Sequence, residues 1–351
     1  MNSQTCKQLM AAAAVLLGAA GGLSLAGWYR QANTPAISMD FVMDTLVEQK
    51  LYGKQADEAV SDISAKLKEF EQTFSMHLDG SEISKLNAAS GNPIAISDEV
   101  YALLERGKEL SLQSRGAFDL TIAPLTQVWG ITSENPTVPS VAEISSALEL
   151  VNASSLILEN GTAQLSKSGQ AVDLGGLAKG AACDIVRESA ELYGIDCGYV
   201  SIGGNMVVLE KKPLGRDFYF GIRDPKGGAQ DSICAVTLYG KTMATTGTYE
   251  RYFEEDGMVY HHVLDPKTGW PADSDLLSVT VISEDGTLAD FLSTTLFVLG
   301  KDTVLDCLER NDFQLIAVGE DGVVYCSSSL ESVIFPTETS TNYEFVFGER
   351  E

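Results

Sequence analysis

The segment Val172-Asp173-Leu174-Gly175-Gly176-Leu177-Ala178-Lys179-Gly180 places one carboxylate, one lysine and three glycines within nine residues. The residues that follow it, 181–187, are typical of a helix. A strand end, a glycine turn and a helix start bring backbone N–H groups and a lysine to one point, where an anionic phosphate can bind. A tight turn with a helix-capping ion pair between Asp173 and Lys179 explains the same residues. The segment therefore indicates a nucleotide site without identifying the nucleotide.

The hydrophobic pattern on either side of this segment predicts an α+β fold. Strands predominate after about residue 151, whereas helices predominate before it, and the two do not alternate regularly as a doubly wound parallel sheet requires. Apolar spacing and cap residues predict helices over 56–74, 81–87, 97–113, 140–148, 178–193 and 288–299. The predicted strands cover 41–52, 155–158, 164–166, 199–209, 218–223, 233–239, 257–264 and 276–282, followed by a hairpin at 313–318 and 322–326.

The length and the charge of the chain limit the functions that it can have. With 351 residues the chain can form one large domain or two intimate ones. It contains 24 Lys and Arg residues and 49 Asp and Glu residues, which gives a formal net charge of −25. Nucleic acids are held by Lys/Arg patches, so this balance argues against a nucleic-acid partner and against a basic face that docks on anionic lipid.

The N-terminus predicts export. Residues 9–28 are almost entirely apolar, and twenty helical residues are long enough to span a bilayer. A cleaved signal and an uncleaved anchor both fit, but lipid attachment does not, because Trp28 stands where a lipoprotein signal needs cysteine. We therefore predict a signal peptide or membrane anchor over 1–30, a linker over 31–38, a catalytic domain over 39–330 and a C-terminal extension over 331–351.

The cysteines do not predict a metal site. None of the six forms a C-x-x-C pair or shows metal-ligand spacing. Cys6 precedes the apolar run, which leaves an odd number in the exported part. Buried free thiols are expected there, with one disulfide bridge left open.

Two clusters contain side chains that suit proton transfer or cation binding. His262 lies beside an Asp-Pro turn at Asp265, and histidine is the usual proton-transfer group near neutral pH. Asp290 and Thr294 stand four residues apart on one face of a predicted helix, where a carboxylate and a hydroxyl suit a hard cation such as Mg²⁺. A polar helix start is the alternative explanation for that pair.

Other clusters are ambiguous when each is taken singly. Gly203-Gly204 at a strand end indicates either the close approach of a ligand or a β-bulge. A Thr-rich turn at 245–248 offers hydroxyls to phosphate or ribose oxygens, and residues 116–119 form a further glycine turn with an aromatic ring and a carboxylate. Neither of the two common glycine-rich nucleotide motifs is present.

Taken in order, these clusters resemble the ApbE family of FAD:protein FMN transferases over roughly residues 41–326. Seven segments carry the resemblance: 81–84, 116–119, 172–180, 202–205, 247–251, 262–269 and 288–294. The resemblance implies a T-fold-related architecture of mixed sheets with flanking helices. It also implies Mg²⁺-dependent cleavage of the FAD pyrophosphate, in which FMN is transferred to a threonine of an exported or membrane redox protein and AMP leaves.

The resemblance further implies roles for individual residues. The metal ligands would be the side chains of Asp290 and Thr294 and the backbone carbonyl of Gly176. His262 would accept the proton of the attacking hydroxyl, and Asp265 would fix its loop. The residues expected to contact FAD are Met43, His77, Ala117, Phe118, Asp119, Asp173, Lys179 and Leu264.

Two positions depart from the family pattern inside the domain. His77 stands where the family usually has tyrosine, and its ring can still stack on a flavin or adenine. Met43-Asp44-Thr45 replaces the common Met-Gly-Thr, which puts the role of that glycine in doubt.

The resemblance places the chain on the extracytoplasmic face of the bacterial cell membrane, anchored or secreted, with membrane contact through the N-terminal segment. Its partner would be a flavoprotein subunit with an Asp-Gly-x-Thr-type motif. The chain has no such motif, so we do not expect self-flavinylation. An FAD pyrophosphatase that releases FMN and AMP, and a non-catalytic surface flavin-binding protein, are the alternatives.

Overall fold

Amphipathic helices form where the apolar spacing predicts them. The structure, a computed structural model, describes residues 34–210 and 215–349. Its longest helix buries Ala59, Ile63, Leu67 and Phe70 on one face, a spacing that matches the turn of an α-helix. The helices are α1 (Ala56–Phe74), α2 (Glu82–Ala88), α3 (Asp98–Gln113), α4 (Ala123–Trp129), α5 (Val141–Leu148), α6 (Ala178–Leu192), α7 (Gly286–Leu299) and α8 (Lys301–Asp306).

The strands form one large sheet and three small ones, so the predicted α+β class is confirmed. The strands are β1 (Ala36–Val42), β2 (Thr45–Tyr52), β3 (Ile94–Ala95), β4 (Leu156–Glu159), β5 (Thr162–Leu165), β6 (Cys197–Ile202), β7 (Asn205–Val208), β8 (Phe220–Arg223), β9 (Ser232–Val236), β10 (Lys241–Gly247), β11 (Tyr252–Glu255), β12 (Met258–His261), β13 (Leu276–Ser283), β14 (Gln314–Gly319), β15 (Val323–Cys326), β16 (Ile334–Pro336) and β17 (Glu344–Phe347). The nine-stranded sheet has the order β1-β2-β6-β7-β10-β13-β14-β15-β17, and the smaller sheets are β16-β9-β8, β3-β5-β4 and β11-β12.

Three strand predictions need correction. The single strand predicted over 41–52 is the hairpin β1–β2, because Met43 and Asp44 take positive φ angles of 57° and 55° and reverse the chain. The strand predicted over 199–209 likewise divides into β6 and β7 at Gly203, whose φ is 61°. The Thr-rich stretch predicted as a turn lies largely in β10, the middle strand of the large sheet.

The large sheet is covered on both faces. Val207 packs in a cluster with α1 and α6, whereas its neighbour Val208 points to the opposite face and packs against the β8–β9–β16 sheet. Helix α7 lies beside α6 and covers β10 and β13. A further cluster, which contains Phe118 and Phe291, joins α7 to the segment around α3 and β5.

Two glycines permit the closest helix contact near the pocket. A Cβ atom added to Gly180 of α6 would lie 2.2 Å from the carbonyl oxygen of Gly286 at the start of α7. A Cβ added to Gly286 would lie 2.5 Å from the carbonyl oxygen of Gly180. Real Cβ atoms do not approach backbone oxygens so closely, so both positions require glycine. The first turns of α6 and α7 therefore touch through bare backbone.

Strands extend beyond both predicted ends of the domain. β1 begins at Ala36, within the predicted linker 31–38, and the predicted extension 331–351 contributes β16 and β17, the latter parallel to β15. The predicted export or anchor segment 1–30 lies outside the described residues. Within 34–210 and 215–349, no helix has both the length and the apolar character needed to cross a membrane. The five cysteines within the described ranges are not joined in disulfides, and four of them are buried.

Substitution of Gly180 by alanine tests the helix contact. We expect Gly180→Ala to lower the free energy of unfolding by about 1–3 kcal/mol, because the added methyl group must displace a backbone carbonyl. Urea unfolding measures this, with Glu188→Ala on the exposed face of the same helix as a control expected within about 0.5 kcal/mol of the unsubstituted protein. Equal stability of the two variants would contradict the close contact.

Candidate active site

Segments far apart in the chain converge on one cavity of about 540 Å³, within the range of roughly 300–1,000 Å³ usual for small-molecule sites. Of the thirteen site residues predicted from the sequence, all except Asp265 line this cavity. Those that line it are Met43, His77, Ala117, Phe118, Asp119, Asp173, Gly176, Lys179, His262, Leu264, Asp290 and Thr294.

The three predicted metal ligands meet at the glycine turn. Asp290 is buried, and its Oδ2 accepts a hydrogen bond of 2.9 Å from the backbone N–H of Gly180. Thr294 lies one helical turn further along α7, and its Oγ1 is 3.4 Å from the position that a Cβ on Gly176 would occupy. The carboxylate of Asp290 and the hydroxyl of Thr294 thus lie beside the glycine turn that contains Gly176.

Hydroxyl groups fix the rotamer of Thr294. Its Oγ1 lies 3.1 Å from Oγ1 of Thr246, at the end of β10, and Thr246 also lies 2.8 Å from Oγ of Ser293. Ser293 in turn donates to the backbone carbonyl of Asp290. Thr246, which belongs to the Thr-rich stretch and lies in the central strand β10, therefore holds the part of α7 that carries the candidate metal ligands.

The glycine turn is held by the two polar residues that the sequence indicates. Oδ1 of Asp173 accepts a hydrogen bond of 2.8 Å from the N–H of Gly175, and Oδ2 accepts one from Thr126. Lys179 donates to the carbonyl of Gly175, and its Nζ lies 3.8 Å from Oδ1 of Asp290. The ion pair that forms is therefore between Lys179 and Asp290, and Asp173 instead closes the turn.

The loop that carries His262 is fixed from both sides. Oδ1 of Asp265 accepts from the N–H of Lys267, and the backbone of Asp265 bonds to that of Gly269 and Trp270, so Asp265 shapes the loop outside the cavity. The indole of Trp129 donates a hydrogen bond of 2.7 Å to the carbonyl of Gly269. Helix α4 thereby anchors the loop.

The environment of His262 keeps its imidazole neutral. Burial, with the positive charges of Lys179 and Arg251 nearby, lowers the pKa of His262 to about 4. Its Nδ1 lies 3.2 Å from the carbonyl oxygen of Arg251. That oxygen can only accept, so Nδ1 carries the proton and Nε2 holds the free lone pair.

Two of the residues expected to contact FAD, Phe118 and Asp119, are packed into the cavity wall. The ring of Phe118 is buried edge-on against Phe291 of α7, with centroids 5.1 Å apart, and its Cε2 lies against Gly176. Both carboxylate oxygens of Asp119 accept structural hydrogen bonds, from Thr121 and from the N–H of Ala153. Asp119 therefore stabilises this part of the cavity wall by hydrogen bonds within the protein.

The two residues that depart from the family pattern lie at the rim. Asp44 adopts a left-handed conformation with a φ of 55°, which aspartate tolerates better than most residues other than glycine. The N–H of Met43 donates to Glu71 of α1, which ties the hairpin turn to the cavity. His77 follows α1, and its side chain is exposed at the rim.

The side chains that line the cavity include more carboxylates than cationic groups. Its two cationic side chains are Lys179 and Arg251, and its six carboxylates are Asp44, Glu71, Asp119, Asp173, Glu250 and Asp290. A pyrophosphate in this cavity would meet net repulsion unless a divalent cation offset it.

The donor set fits Mg²⁺. Within the described ranges, no group of three or more His, Cys, Asp or Glu side chains is placed to hold one ion. Mg²⁺ is usually bound by one or two carboxylates, with waters and substrate phosphates as the remaining ligands. Asp290, Thr294 and Gly176 would supply the protein's share of such a shell.

Sequence reasoning missed the segment 126–133 and the pair Glu250 and Arg251 as parts of the lining. Helix α4 carried a usable signal, because proline stands at its start and Gly130, with a left-handed φ of 51°, caps its end. Arg251 lies in a segment that carries the family resemblance, but that segment does not reveal its contact with a residue eleven positions later.

The chain is similar to known proteins over most of its length. The sequence profile of the ApbE family matches residues 43–318. A Klebsiella pneumoniae (strain 342) protein named FAD:protein FMN transferase is 34% identical over 292 residues, which cover 82% of this chain and 90% of that protein. A Treponema pallidum protein of the same name is 31% identical, over 81% of this chain and 82% of its own length.

Solved structures agree with the sequence matches. The ApbE protein from Thermotoga maritima superposes with a TM-score of 0.79 at 32% identity, covering 87% of this chain and all of its own. The flavinyl transferase ApbE of Pseudomonas stutzeri in its apo form superposes with a TM-score of 0.75 at 29% identity, covering 85% of this chain and 96% of its own.

The pKa of His262 is directly testable. We expect an NMR titration of its imidazole to give a midpoint near pH 4, since burial and two cations disfavour the imidazolium ion. Lys179→Met should raise that midpoint, because it removes one positive charge. The chain has three histidines, and His262→Gln identifies the signal. A midpoint at or above pH 6.5, the usual value for histidine, would contradict the environment described.

Proposed function

The chain belongs to the ApbE family, and from this premise we propose that it is an FAD:protein FMN transferase. In the proposed reaction, which depends on Mg²⁺, the hydroxyl oxygen of a threonine on another protein attacks the phosphorus of the FMN half of FAD. The pyrophosphate P–O bond breaks, and AMP leaves.

One observation carries this proposal: candidate metal ligands and a neutral histidine line the same cavity. Asp290 and Thr294 come from α7, and His262 follows β12. A storage protein for flavin would need neither a carboxylate aimed at a pyrophosphate nor a proton acceptor beside it. The arrangement therefore favours a catalytic over a non-catalytic flavin protein.

When bound, Mg²⁺ would neutralise charge that develops on the phosphate oxygens. The protein's own part is to hold the reacting groups. The Nζ of Lys179 lies 3.8 Å from Oδ1 of Asp290, so the ammonium group would lie close to phosphate oxygens held near this carboxylate. The half-buried glycine turn at Gly176 lets the backbone approach the pyrophosphate closely.

His262 would take the proton of the attacking hydroxyl. Its pKa of about 4 keeps it unprotonated at neutral pH, and its contact with the Arg251 carbonyl leaves Nε2 as the basic nitrogen. A weak base of this kind suits a step in which proton transfer accompanies attack on a strongly activated phosphorus.

The acceptor and the cellular location are further parts of the proposal. We propose a threonine in an Asp-Gly-x-Thr-type motif of an exported or membrane redox protein as the acceptor. The apolar run at 9–28 supports action at the extracytoplasmic face of the bacterial cell membrane.

Incubation of the protein with FAD, Mg²⁺ and a domain that carries the acceptor motif tests the activity. We expect covalent flavin fluorescence on the acceptor in a denaturing gel, and its loss when a chelator removes Mg²⁺. Free FMN and AMP without a labelled acceptor would instead identify a pyrophosphatase. Intact FAD would contradict both enzymatic functions.

Asp290 variants test its role as a metal ligand. We expect Asp290→Ala and Asp290→Asn to lose at least about 100-fold in turnover, because both remove the anionic ligand. The asparagine still accepts the hydrogen bond from Gly180, so substantial activity of Asp290→Asn alone would mean that the carboxylate acts only as a helix cap.

Thr294→Val gives a finer test, because it replaces the hydroxyl by a methyl group of similar size. We expect an increase in the Mg²⁺ concentration needed for half-maximal turnover. Thr295→Val is the matched control, since the buried Oγ1 of Thr295 has no hydrogen-bond partner within the described part of the chain. Similar effects of the two substitutions would contradict a ligand role for Thr294.

A further inference from the structure

A carboxylate from a neighbouring helix caps the start of the ligand helix. Asp184 lies on α6, and its Oδ1 accepts a hydrogen bond of 2.7 Å from the N–H of Gly286. Its Oδ2 accepts from the N–H of Thr287 at 3.0 Å and from the hydroxyl of Thr287 at 2.9 Å. Asp184 thus satisfies the first two free N–H groups of α7.

The local cap of α7 is a different residue. Asp285 accepts a hydrogen bond of 2.8 Å from the N–H of Leu288, and its other oxygen pairs with Arg106. Both carboxylates lie at the positive end of the helix dipole, where negative charge is stabilising. Only Asp184, however, joins α7 to α6.

The capping is reciprocal. Asp290 of α7 accepts from the N–H of Gly180 in the first turn of α6, while Asp184 of α6 accepts from the first turn of α7. Between these bonds lies the Gly180–Gly286 backbone contact. Three fixed points therefore determine the distance and rotation of α7 relative to the glycine turn that precedes α6.

We propose that Asp184 is a positioning residue for the metal site, a role that rests on the transferase function proposed above. Asp290 and Thr294 lie one and two turns beyond the N–H groups that Asp184 binds. Gly176 lies two residues before the start of α6 at Ala178. The hydrogen bonds of Asp184 thus hold the two side-chain ligands at the correct distance from the carbonyl ligand.

Mn²⁺ binding to the full chain in the presence of FAD tests this role. Electron paramagnetic resonance of free Mn²⁺ gives the dissociation constant, and flavin fluorescence without metal gives the affinity for FAD. We expect Asp184→Ala to weaken Mn²⁺ binding about tenfold or more, the effect usual for residues that orient metal ligands, with FAD affinity unchanged.

Asp285→Ala is the matched control, because it removes the other cap of the same helix. We expect it to lower Tm about as much as Asp184→Ala does while Mn²⁺ binding stays the same. Asp184→Asn retains one acceptor but turns an amide donor towards Thr287, so it should weaken Mn²⁺ binding to an intermediate degree. This variant provides the measurement if Asp184→Ala does not fold.

The outcomes separate the two proposals. Mn²⁺ binding that is unaffected by both Asp184 variants, or weakened equally by Asp285→Ala, would overturn the positioning role and leave the transferase proposal standing. Failure of the unsubstituted protein to bind Mn²⁺ with FAD would overturn the metal site itself, and the positioning role with it.

Discussion

The contact between the first turns of α6 and α7 is the constraint on which the site depends. Gly180 and Gly286 allow the two backbones to meet, and any side chain at either position would separate the helices. The glycine turn precedes α6, and the candidate metal ligands lie on α7. A metal site built from both elements can form only if their separation is fixed to within a fraction of an ångström, and backbone contact achieves this better than flexible side chains do.

Charge places a second constraint on the same site. An acidic chain with an acidic cavity must bind an anionic dinucleotide, and Lys179 and Arg251 are the cationic side chains of the lining. Burial lowers the pKa of His262, and the charges of the same two cations lower it further. These two positive charges therefore favour an anionic substrate and, together with burial, the neutral imidazole. In the proposed reaction, the phosphates would meet positive charge and His262 would stay unprotonated.

Prediction from the sequence succeeded where the signal was local and failed where partners were distant. The glycine turn and the Asp290–Thr294 spacing each depend on neighbouring residues, so both were visible before the structure. The threonines beside Gly247 are typical of a turn, although Thr246 lies in β10, which is buried at the centre of the sheet. Asp184 gave no signal, because its hydrogen-bond partners lie 102 and 103 positions away.

The departures from the family pattern lie where these constraints are weakest. Asp44 replaces a glycine in a hairpin turn at the rim, and the turn retains its left-handed geometry because aspartate tolerates a φ of 55°. His77 is exposed at the cavity rim and follows α1, whereas the candidate side-chain metal ligands lie on α7. At Gly180 or Gly286 a single methyl group would meet backbone. Asp44 and His77 therefore occupy the cavity rim, whereas Gly180 and Gly286 leave no room for a side chain between the helices.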